Sequence, residues 1–437
     1  MNKNEEITLD IYDLNADGSG VGKASCGRVV FCQGALPGER VRLKIIKIKK
    51  SYAIGKIIQI INKSQDRAEE EDICPYAGKC GGCQLQHFKY PAQLKFKEKL
   101  VADALKKIGK IQNPPVSPII GMENPYRYRN KVQFPVGANG LGLYAKRSHK
   151  IIPINDCKIN MCNEVFDTIQ NVLKESTVPV YNEETHTGLL RHVVIRTGQN
   201  TGETMVILVV NGGFININLP CDLIINENTE KTNVILGDKF NTVRGSGFIH
   251  EIMGHIRYRI SPRAFFQINT AQANKLYDII AGLIKNGENV IDAYCGIGGI
   301  ALYIANKTQK ITGIESVPEA VCDAVFNASH NNINNADFIC GQAEDVLPTL
   351  LEQGKWDTLI LDPPRKGADE GLIKAAANAE IPKIIYVSCN PATLARDILE
   401  LNEAGEGKYE LLLVQPIDMF PMTGHVETVV LLQHRDI

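Results

Sequence analysis

The strongest constraint on the fold is an alternation of strand-like and helix-like segments that begins near Ile260 and continues to the carboxyl end. Short β-branched runs at residues 288–292, 310–315 and 358–362 are each followed by a segment with helical spacing. Strands that alternate with helices in this way assemble into a parallel sheet covered by helices. The sequence therefore predicts a doubly wound, Rossmann-like α/β domain over residues 261–437.

Glycines and acids follow the predicted strands at the edge of the sheet where ligands bind. The turn at residues 295–299 is rich in glycine, and Gly296 lets a ligand approach the backbone. Glu315 ends the strand at residues 310–315, where an acid binds ribose hydroxyls, and Asp362 ends the strand at residues 358–362. The run G-x-G-G lacks the spacing of a nicotinamide dinucleotide site, and no second mononucleotide-binding half follows. We therefore expect S-adenosylmethionine, which has no phosphates, as the ligand.

Cys389 ends another predicted strand, residues 384–387, and stands directly before Asn390-Pro391, where a helix is expected to begin. A helix N-terminus favours a thiolate over a thiol, so this position suits a nucleophile. Cysteine is also a common buried residue, and position alone leaves both roles open. Amino-methyltransferases have an aromatic residue after a loop similar to Asp362-Pro-Pro. In this chain Arg365 occupies the position of that aromatic residue. Its absence favours a reaction in which Cys389 bonds covalently to the substrate.

The first 64 residues have the pattern of short strands separated by turns, at residues 7–12, 27–32, 39–47 and 51–61. This pattern predicts a small β-barrel. The segments Asp17-Gly-Ser-Gly-Val-Gly22 and Ala35-Leu-Pro-Gly-Glu39 resemble the TRAM domain, an RNA-binding barrel of RNA-modifying enzymes. We divide the chain into this barrel at residues 1–64, a central α/β domain at residues 65–260, and the doubly wound domain at residues 261–437.

Three cysteines lie close together at the start of the central segment, with the spacing C-x5-C-x2-C: Cys74, Cys80 and Cys83. A fourth ligand must come from elsewhere. Cys157 is the nearest downstream candidate, and Cys162 follows five residues later. Zinc and iron–sulfur clusters both accept four thiolates, so the spacing does not choose between them.

Basic and aromatic residues are concentrated in two segments, although the net charge is −1. Residues 39–64 contain eight Lys or Arg and one acid, and residues 126–150 contain six Lys or Arg and no acid. Such segments suit phosphate contacts and base stacking. We expect RNA as the partner, with no membrane and no DNA.

No secretory signal or membrane-length apolar run is present, and twelve cysteines suit a reducing compartment. We therefore expect a cytoplasmic monomer.

Five motifs are similar, in order, to those of the RNA uracil-C5 methyltransferases. They are Ser261-Pro-Arg-Ala-Phe-Phe-Gln-Ile-Asn269, Asp292-Ala-Tyr-Cys-Gly-Ile-Gly298, Leu361-Asp-Pro-Pro-Arg-Lys-Gly367, Val387-Ser-Cys-Asn-Pro391 and Gly424-His-Val-Glu-Thr428. With the barrel and the cysteines, the resemblance spans nearly the whole chain. It is closest to the bacterial 23S ribosomal RNA branch, because the bacterial transfer-RNA branch typically lacks the barrel and the cysteines.

The resemblance implies roles for individual residues. It makes Cys389 the nucleophile and Glu427 the general base. The residues expected to bind S-adenosylmethionine, in addition to Gly296, are Gln267, Tyr294, Glu315, Asp362 and either Gln342 or Asp345. The residues expected to hold a 4Fe–4S cluster are Cys74, Cys80, Cys83 and Cys157. Gly299 departs from the pattern, because many relatives have Asn there, and a side-chain contact to the donor is then missing.

The chemistry of uracil supports these roles. Addition of a thiolate at C6 turns the ring into an enolate whose C5 attacks the methyl group, and a base must then remove the C5 proton. Glu427 lies in a strand-like segment, where a carboxylate is ordinarily exposed.

C5 and C6 of a paired uracil are hidden within the base stack, so the enzyme needs a single-stranded or flipped target. We expect methylation of uridine C5 in 23S rRNA. The same chemistry on tRNA, or a non-catalytic ribosome assembly factor that binds RNA, are the alternatives.

Overall fold

The amino-terminal strands close into a small barrel. The computed structural model describes residues 1–215, 217 and 219–436. The barrel strands are β1 (Glu6–Leu14), β2 (Gly20–Lys23), β3 (Val29–Cys32), β4 (Arg40–Ile48) and β5 (Tyr52–Asn62), in the order β1-β2-β3-β5-β4. On β4 the side chains of Val41, Leu43 and Ile45 are buried, whereas Arg42 and Lys44 between them are exposed. This alternation turns the apolar side chains inward and the cations outward. The predicted barrel is confirmed, but β2 is too short and too glycine-rich to have been predicted.

The central part of the chain forms a second sheet. A helix, α1 (Tyr90–Lys107), and a 3₁₀ turn at Glu70–Asp72 precede it. The sheet contains β6 (Lys131–Gly137), β7 (Gly140–Tyr144), β8 (Ile151–Pro153), β9 (Leu190–Thr197), β10 (Thr204–Val210), β11 (Asp222–Glu227) and β12 (Lys239–Arg244), in the order β12-β11-β10-β9-β6-β7-β8. Helix α2 (Asn163–Glu175) lies between β8 and β9 in the chain, and a hairpin, β13 (Ile249–Met253) and β14 (Ile256–Ile260), follows the sheet.

The carboxyl-terminal sheet has seven strands in the order β17-β16-β15-β18-β19-β21-β20. The strands are β15 (Glu288–Ala293), β16 (Thr308–Glu315), β17 (Ala336–Cys340), β18 (Thr358–Leu361), β19 (Lys383–Ser388), β20 (Tyr409–Ile417) and β21 (Glu427–His434). The helices are α3 (Thr270–Leu283), α4 (Gly299–Ile304), α5 (Pro318–His330), α6 (Ala343–Gln353), α7 (Glu370–Asn378) and α8 (Pro391–Ala404), with a 3₁₀ turn at Ala305–Lys307. The first five strands of the order are parallel, and β21 runs antiparallel to β19 and β20.

The sequence of each strand explains its place in this sheet. Every residue of β18 and β19 is buried, as expected for central parallel strands that carry helices on their faces. The one cation of β19, Lys383, is paired inside the sheet with Glu288, at 2.6 Å. The strand order reverses between β15 and β18, and the crevice beyond the carboxyl ends at such a point is where α/β sheets bind ligands. The predicted doubly wound domain is confirmed.

The described residues divide into two compact units. One contains residues 1–100, 143–152 and 420–425, and the other contains residues 101–142, 153–419 and the segment from Val426 onward. The boundaries predicted at residues 64 and 260 stay predictions. Across the part of the chain that is described, none of the helices combines the length and the apolar character needed to cross a lipid bilayer.

Candidate active site

The residues expected to bind the methyl donor follow the central strands at one edge of the sheet. Ala293, the last residue of β15, pairs with Ile314 on β16 and with Leu361 on β18. Tyr294, which follows Ala293, therefore stands at the same level as Glu315 and Asp362, at the point where the strand order reverses. The backbone of Tyr294 turns sharply here, with φ of 71°. The sheet thus brings together three side chains that the sequence leaves 21 to 68 residues apart.

The glycine-rich turn after β15 holds the Glu315 carboxylate. Gly296 N donates a hydrogen bond to Glu315 Oε2 at 3.1 Å, and Val317 N donates to Oε1 at 2.8 Å. Gly296 has φ of 57°, and a Cβ at this position would have no atom within 4 Å. The backbone at Gly296 therefore borders open space, which suits the close approach of a ligand.

Gln267 lies just before α3 and is buried. Its backbone oxygen accepts a hydrogen bond from Asn130 Nδ2 at 2.9 Å, and the same Asn130 amide donates to Thr270 Oγ1 at 3.0 Å. Within the described residues its side-chain amide has no hydrogen bond, so it is available to a ligand. Gln342 and Asp345 are both exposed at the start of α6, and the geometry does not choose between them.

Cys389 stands in the short connection between β19 and α8. Asn390 caps the helix, because its Oδ1 accepts from Ala392 N at 3.1 Å. Its Nδ2 also donates to Arg365 O at 3.2 Å, and Thr393 Oγ1 reaches the same oxygen at 3.5 Å. The loop after Asp362 is therefore tied to the loop that carries Cys389. The sequence motif contains Asn390, but its role in joining the two loops becomes clear only from the structure.

Glu427 lies next to Cys389 in the register of two neighbouring strands, β19 and β21. Ser388 on β19 pairs with Thr428 on β21. One step further along this antiparallel register sets Cys389 opposite Glu427, and opposed side chains lie on the same face of a sheet. The strand-like sequence around Glu427 favours an exposed carboxylate, but the side chain is only 3% exposed. Its burial is the first sign that it is more than a surface residue.

The charges around Cys389 keep its thiol protonated. Burial raises the pKa of Cys389 to about 11, the carboxyls of Glu427 and Asp362 add to the rise, and Arg365 opposes it. The pKa of Cys389 is therefore raised in this state of the protein even though a helix begins directly after it. Helix α8 does begin at Pro391, but loss of water and two nearby carboxyls outweigh the helix terminus.

The two carboxyls of the site also have raised pKa values. Burial raises the pKa of Glu427 well above its usual range, and the negative charge of Asp362 raises it further. Burial raises the pKa of Asp362 as well. Two acids that share a site from which water is excluded bind protons more tightly than exposed ones. The site thus combines a thiol, a basic carboxylate and a second acid beside Arg365.

The four cysteines predicted to bind a metal lie in two different compact units. Cys74, Cys80 and Cys83 are half-buried in the first compact unit, and Cys157 is half-buried in the second. Among the residues that the structure describes, no three Cys, His, Asp or Glu side chains form a group that fits a metal ion. The prediction of a cluster therefore receives no support from this arrangement, and no chemical step is assigned to it.

Two neighbours of these cysteines have defined roles. Cys162, the alternative fourth ligand, is buried and contacts Thr197 Oγ1 at 3.1 Å, and burial raises the pKa of its thiol to about 11. This environment is that of a packed thiol. Arg127, expected to contact RNA, forms two hydrogen bonds to Asp156 and a third to Cys157 O at 2.7 Å. Its guanidinium therefore helps to order the loop that carries Cys157.

The fold and the site together define the class of protein. A sheet in this order, with a glycine-rich turn after β15 and acids at the carboxyl ends of β15, β16 and β18, is that of an S-adenosylmethionine-dependent methyltransferase. The family model described as tRNA (Uracil-5-)-methyltransferase matches residues 246–435, and the TRAM domain model matches residues 2–58.

Known proteins identify the family more closely. An "uncharacterized RNA methyltransferase" of Halalkalibacterium halodurans is 44% identical over 454 residues, which cover 99% of this chain and 98% of that protein. A second, of Clostridium acetobutylicum, is 44% identical over 460 residues, covering 100% and 98%. The solved tRNA (uracil-54, C5)-methyltransferase of Pyrococcus abyssi, in complex with S-adenosyl-L-homocysteine, is 28% identical with a TM-score of 0.81, covering 98% and 100%. The chain belongs to the RNA uracil-5-methyltransferase family, and it is an S-adenosylmethionine-dependent enzyme that acts on RNA.

Proposed function

We propose that the protein methylates C5 of a uridine in 23S ribosomal RNA through a covalent bond between Cys389 and uracil C6. The observation that carries this proposal is the juxtaposition of Cys389, directly after β19, and the buried Glu427 at the start of the adjoining strand β21. Arg365 stands where an amino-methyltransferase would have an aromatic residue, and Asn390 holds its loop against Cys389. These features suit attack by a thiolate followed by removal of a proton.

S-adenosylmethionine, when bound, supplies an electrophilic methyl group on a sulfonium sulfur. Cys389 Sγ gives its proton to solvent and forms a bond to uracil C6, and the electrons of the C5–C6 double bond move toward O4 as an enolate. C5 then accepts the methyl group as the bond between that group and the sulfonium sulfur breaks. Glu427 removes the remaining proton from C5, the double bond re-forms, and the bond between C6 and Cys389 breaks to release a thiolate.

The electrostatics suit these roles. Burial raises the pKa of Glu427, so its carboxylate is a stronger base than that of an exposed glutamate. Cys389 must lose a proton before it attacks, although its own pKa is raised. Arg365 is the cation that lowers the pKa of both groups. The thiolate therefore forms most readily once further positive charge enters the site, as a sulfonium does.

RNA would bind beside a largely buried cluster of cations on the central sheet. Lys131 on β6 pairs with Arg196 on β9, and Arg129 lies beside them. Burial, Arg196 and Arg129 lower the pKa of Lys131 to about 7, and Lys131 has no acidic partner among the described residues. A desolvated lysine between two other cations is stabilised by an anion, and an RNA phosphate supplies one. On the barrel, the exposed cations of β4 offer a second basic surface.

Trapping of the adduct tests the mechanism. RNA containing 5-fluorouridine cannot release the C5 substituent, so the wild-type enzyme with donor should form a stable protein–RNA adduct visible on a denaturing gel. The Cys389→Ala variant should form none, whereas the Cys322→Ala control, at an exposed cysteine, should behave like wild type. The Glu427→Gln variant should accumulate the adduct even with ordinary uridine RNA. Methylation by Cys389→Ala would overturn the mechanism.

The choice of RNA is tested separately. The Pyrococcus abyssi structure belongs to an enzyme described as acting on uracil 54 of tRNA, so tRNA is the second candidate substrate. Mapping 5-methyluridine in 23S rRNA and in tRNA from a deletion strain separates the two. Loss of a single 23S rRNA methylation supports the proposal. Unchanged rRNA with loss from tRNA would transfer the same chemistry to tRNA.

We also propose, from the sequence resemblance alone, that the thiols of Cys74, Cys80, Cys83 and Cys157 bind a 4Fe–4S cluster with a structural role. The glycines between Cys80 and Cys83 support a tight loop: a Cβ at Gly81 would lie 3.1 Å from Tyr144 O. Anaerobically purified full-length protein should contain iron and sulfide and absorb near 400 nm. Colourless protein with stoichiometric zinc, or with no metal, would refute this proposal without affecting the methylation chemistry.

A further inference from the structure

The hydroxyl of Tyr277 is packed against the glycine-rich turn. Tyr277 lies on α3 and is only 5% exposed. A Cβ at Gly299 would lie 2.6 Å from Tyr277 Oη, closer than atoms of this kind can approach, whereas the next atom, Cζ, would be 3.4 Å away. The hydroxyl therefore occupies the place that a side chain at position 299 would need. Tyr277 can place its hydroxyl here because residue 299 is a glycine and has no side chain.

The packing of α3 fixes this position. Helix α3 contacts both α4, which begins at Gly299, and β21, which begins at Glu427. The Tyr277 ring also meets the Tyr303 ring edge to face, with 5.4 Å between centroids. The carbonyl of Gly299 is already occupied, because it accepts a hydrogen bond from the Tyr258 hydroxyl at 2.7 Å. Within the described residues, the Tyr277 hydroxyl has no hydrogen bond of its own.

The charges around Tyr277 are those of the active site. Burial raises the pKa of its phenol, and the carboxyls of Asp362, Asp292 and Glu427 raise it further, in that order. The phenol is therefore neutral at any pH at which the enzyme works, and it can act as a hydrogen-bond donor. Two of these carboxyls belong to the residues assigned to methyl transfer. Tyr277 thus lies on the reacting side of the donor site.

The proposed function sets the direction of the donor molecule. Glu315, at the end of β16, is the acid placed for the ribose, and the methyl group must reach a uracil bonded to Cys389. The amino-acid end branches from the same sulfur as the methyl group. If it points toward the start of α4, it reaches the side of Asp292 and Asp362, where the Tyr277 hydroxyl is.

We propose that the Tyr277 hydroxyl donates a hydrogen bond to the amino-acid carboxylate of the methyl donor, and that Gly299 is without a side chain so that this hydroxyl can reach it. This inference rests on the proposed function for the direction of the donor. It offers an alternative to the expectation that a contact to the donor is missing at position 299, because a tyrosine from another helix places a polar group there.

The test uses binding of S-adenosylhomocysteine to the full-length protein without RNA, measured by calorimetry. Hydrogen bonds to a charged group contribute enough that Tyr277→Phe should weaken this binding about tenfold or more. Binding of 5′-methylthioadenosine, which lacks the amino-acid end, should not change. The Tyr303→Phe control removes a neighbouring hydroxyl that instead donates to Asp278 at 2.6 Å, and it should bind both ligands like wild type.

A pair of reciprocal variants tests the steric part. Gly299→Asn alone places a Cβ against Tyr277 Oη and should weaken binding of S-adenosylhomocysteine. The double variant Tyr277→Phe with Gly299→Asn removes that oxygen, leaves Cζ at 3.4 Å, and offers an amide as the new donor. It should recover binding to within about threefold of wild type.

Three results would overturn the proposal: unchanged affinity in Tyr277→Phe, an equal loss for both ligands, or a double variant weaker than both single ones. Melting curves of each variant identify any that fail to fold, and Tyr277→Phe keeps the ring that packs on Tyr303. If the wild-type enzyme methylates no RNA, yet Tyr277→Phe shows the selective loss of S-adenosylhomocysteine affinity, the proposed function fails and this contact stands.

Discussion

The protonation of Cys389 offers the sharpest prediction. Burial and the carboxyls of Glu427 and Asp362 raise the pKa of Cys389 from 9.0 to about 11. A difference of about two pKa units lowers the thiolate fraction at pH 8 about a hundredfold relative to an unperturbed cysteine. The protein without RNA or donor should therefore react with iodoacetamide at Cys389 about a hundred times more slowly than a free peptide that contains the same thiol.

The Glu427→Gln variant tests the cause. It removes a negative charge that disfavours the thiolate, while burial, the larger cause, remains. The pKa of Cys389 should fall, and alkylation at pH 8 should become measurably faster, by a factor of up to about ten.

The assay is mass spectrometry of the alkylated peptide between pH 7 and pH 9.5. If the pKa is raised as expected, the rate at Cys389 rises about tenfold per pH unit across this range with no plateau. Steric protection alone would slow alkylation of Cys389 without changing the pH at which half of the thiol is ionised. The pH profile therefore separates steric protection from a raised pKa. A profile that bends with a midpoint near pH 9 or below, or a rate that Glu427→Gln does not change, would refute the electrostatic reasoning.

Three further predictions concern stability and RNA binding. Lys383→Met leaves Glu288 buried without its partner, so urea unfolding should show a loss of about 3–5 kcal/mol. Asn390→Ala removes a helix cap and the tie to Arg365, which should cost about 1 kcal/mol in the same assay and also lower kcat. The pKa of Lys131 is lowered to about 7, so Lys131 loses charge as pH rises and RNA affinity, by fluorescence anisotropy, should fall from pH 6 to pH 8. Lys131→Arg, which stays charged, should flatten that profile.

Controls accompany each of these changes. Lys374→Met breaks an exposed pair with Glu370 on α7 and should leave unfolding unchanged. Asn390→Asp keeps a capping oxygen but removes the amide that reaches Arg365 O, so it should retain stability and still lose activity. A pH dependence of RNA affinity that persists in Lys131→Arg would assign the effect to another group.

Much of the fold follows from local sequence patterns. The alternation of inward and outward residues on β4, and of strands with helices after Ile260, depends only on neighbouring residues. The same is true of the glycine-rich turn and of the strand that ends before Cys389. Each of these segments needs the same backbone conformation wherever it lies in the molecule. The barrel and the doubly wound sheet could therefore be predicted, and with them the edge at which the donor binds.

Tertiary structure decides what depends on distant parts of the chain. Glu427 is buried opposite Cys389 because β21 pairs with β19, a register that no local pattern contains. The pKa of Cys389 is raised because that register brings a carboxylate to it and excludes water. The place of Tyr277 against Gly299 depends on how α3 packs on α4. The sequence by itself determined which elements form and which residues end them. The electrostatics of the site depend on distances between elements, and only the packed structure defines those.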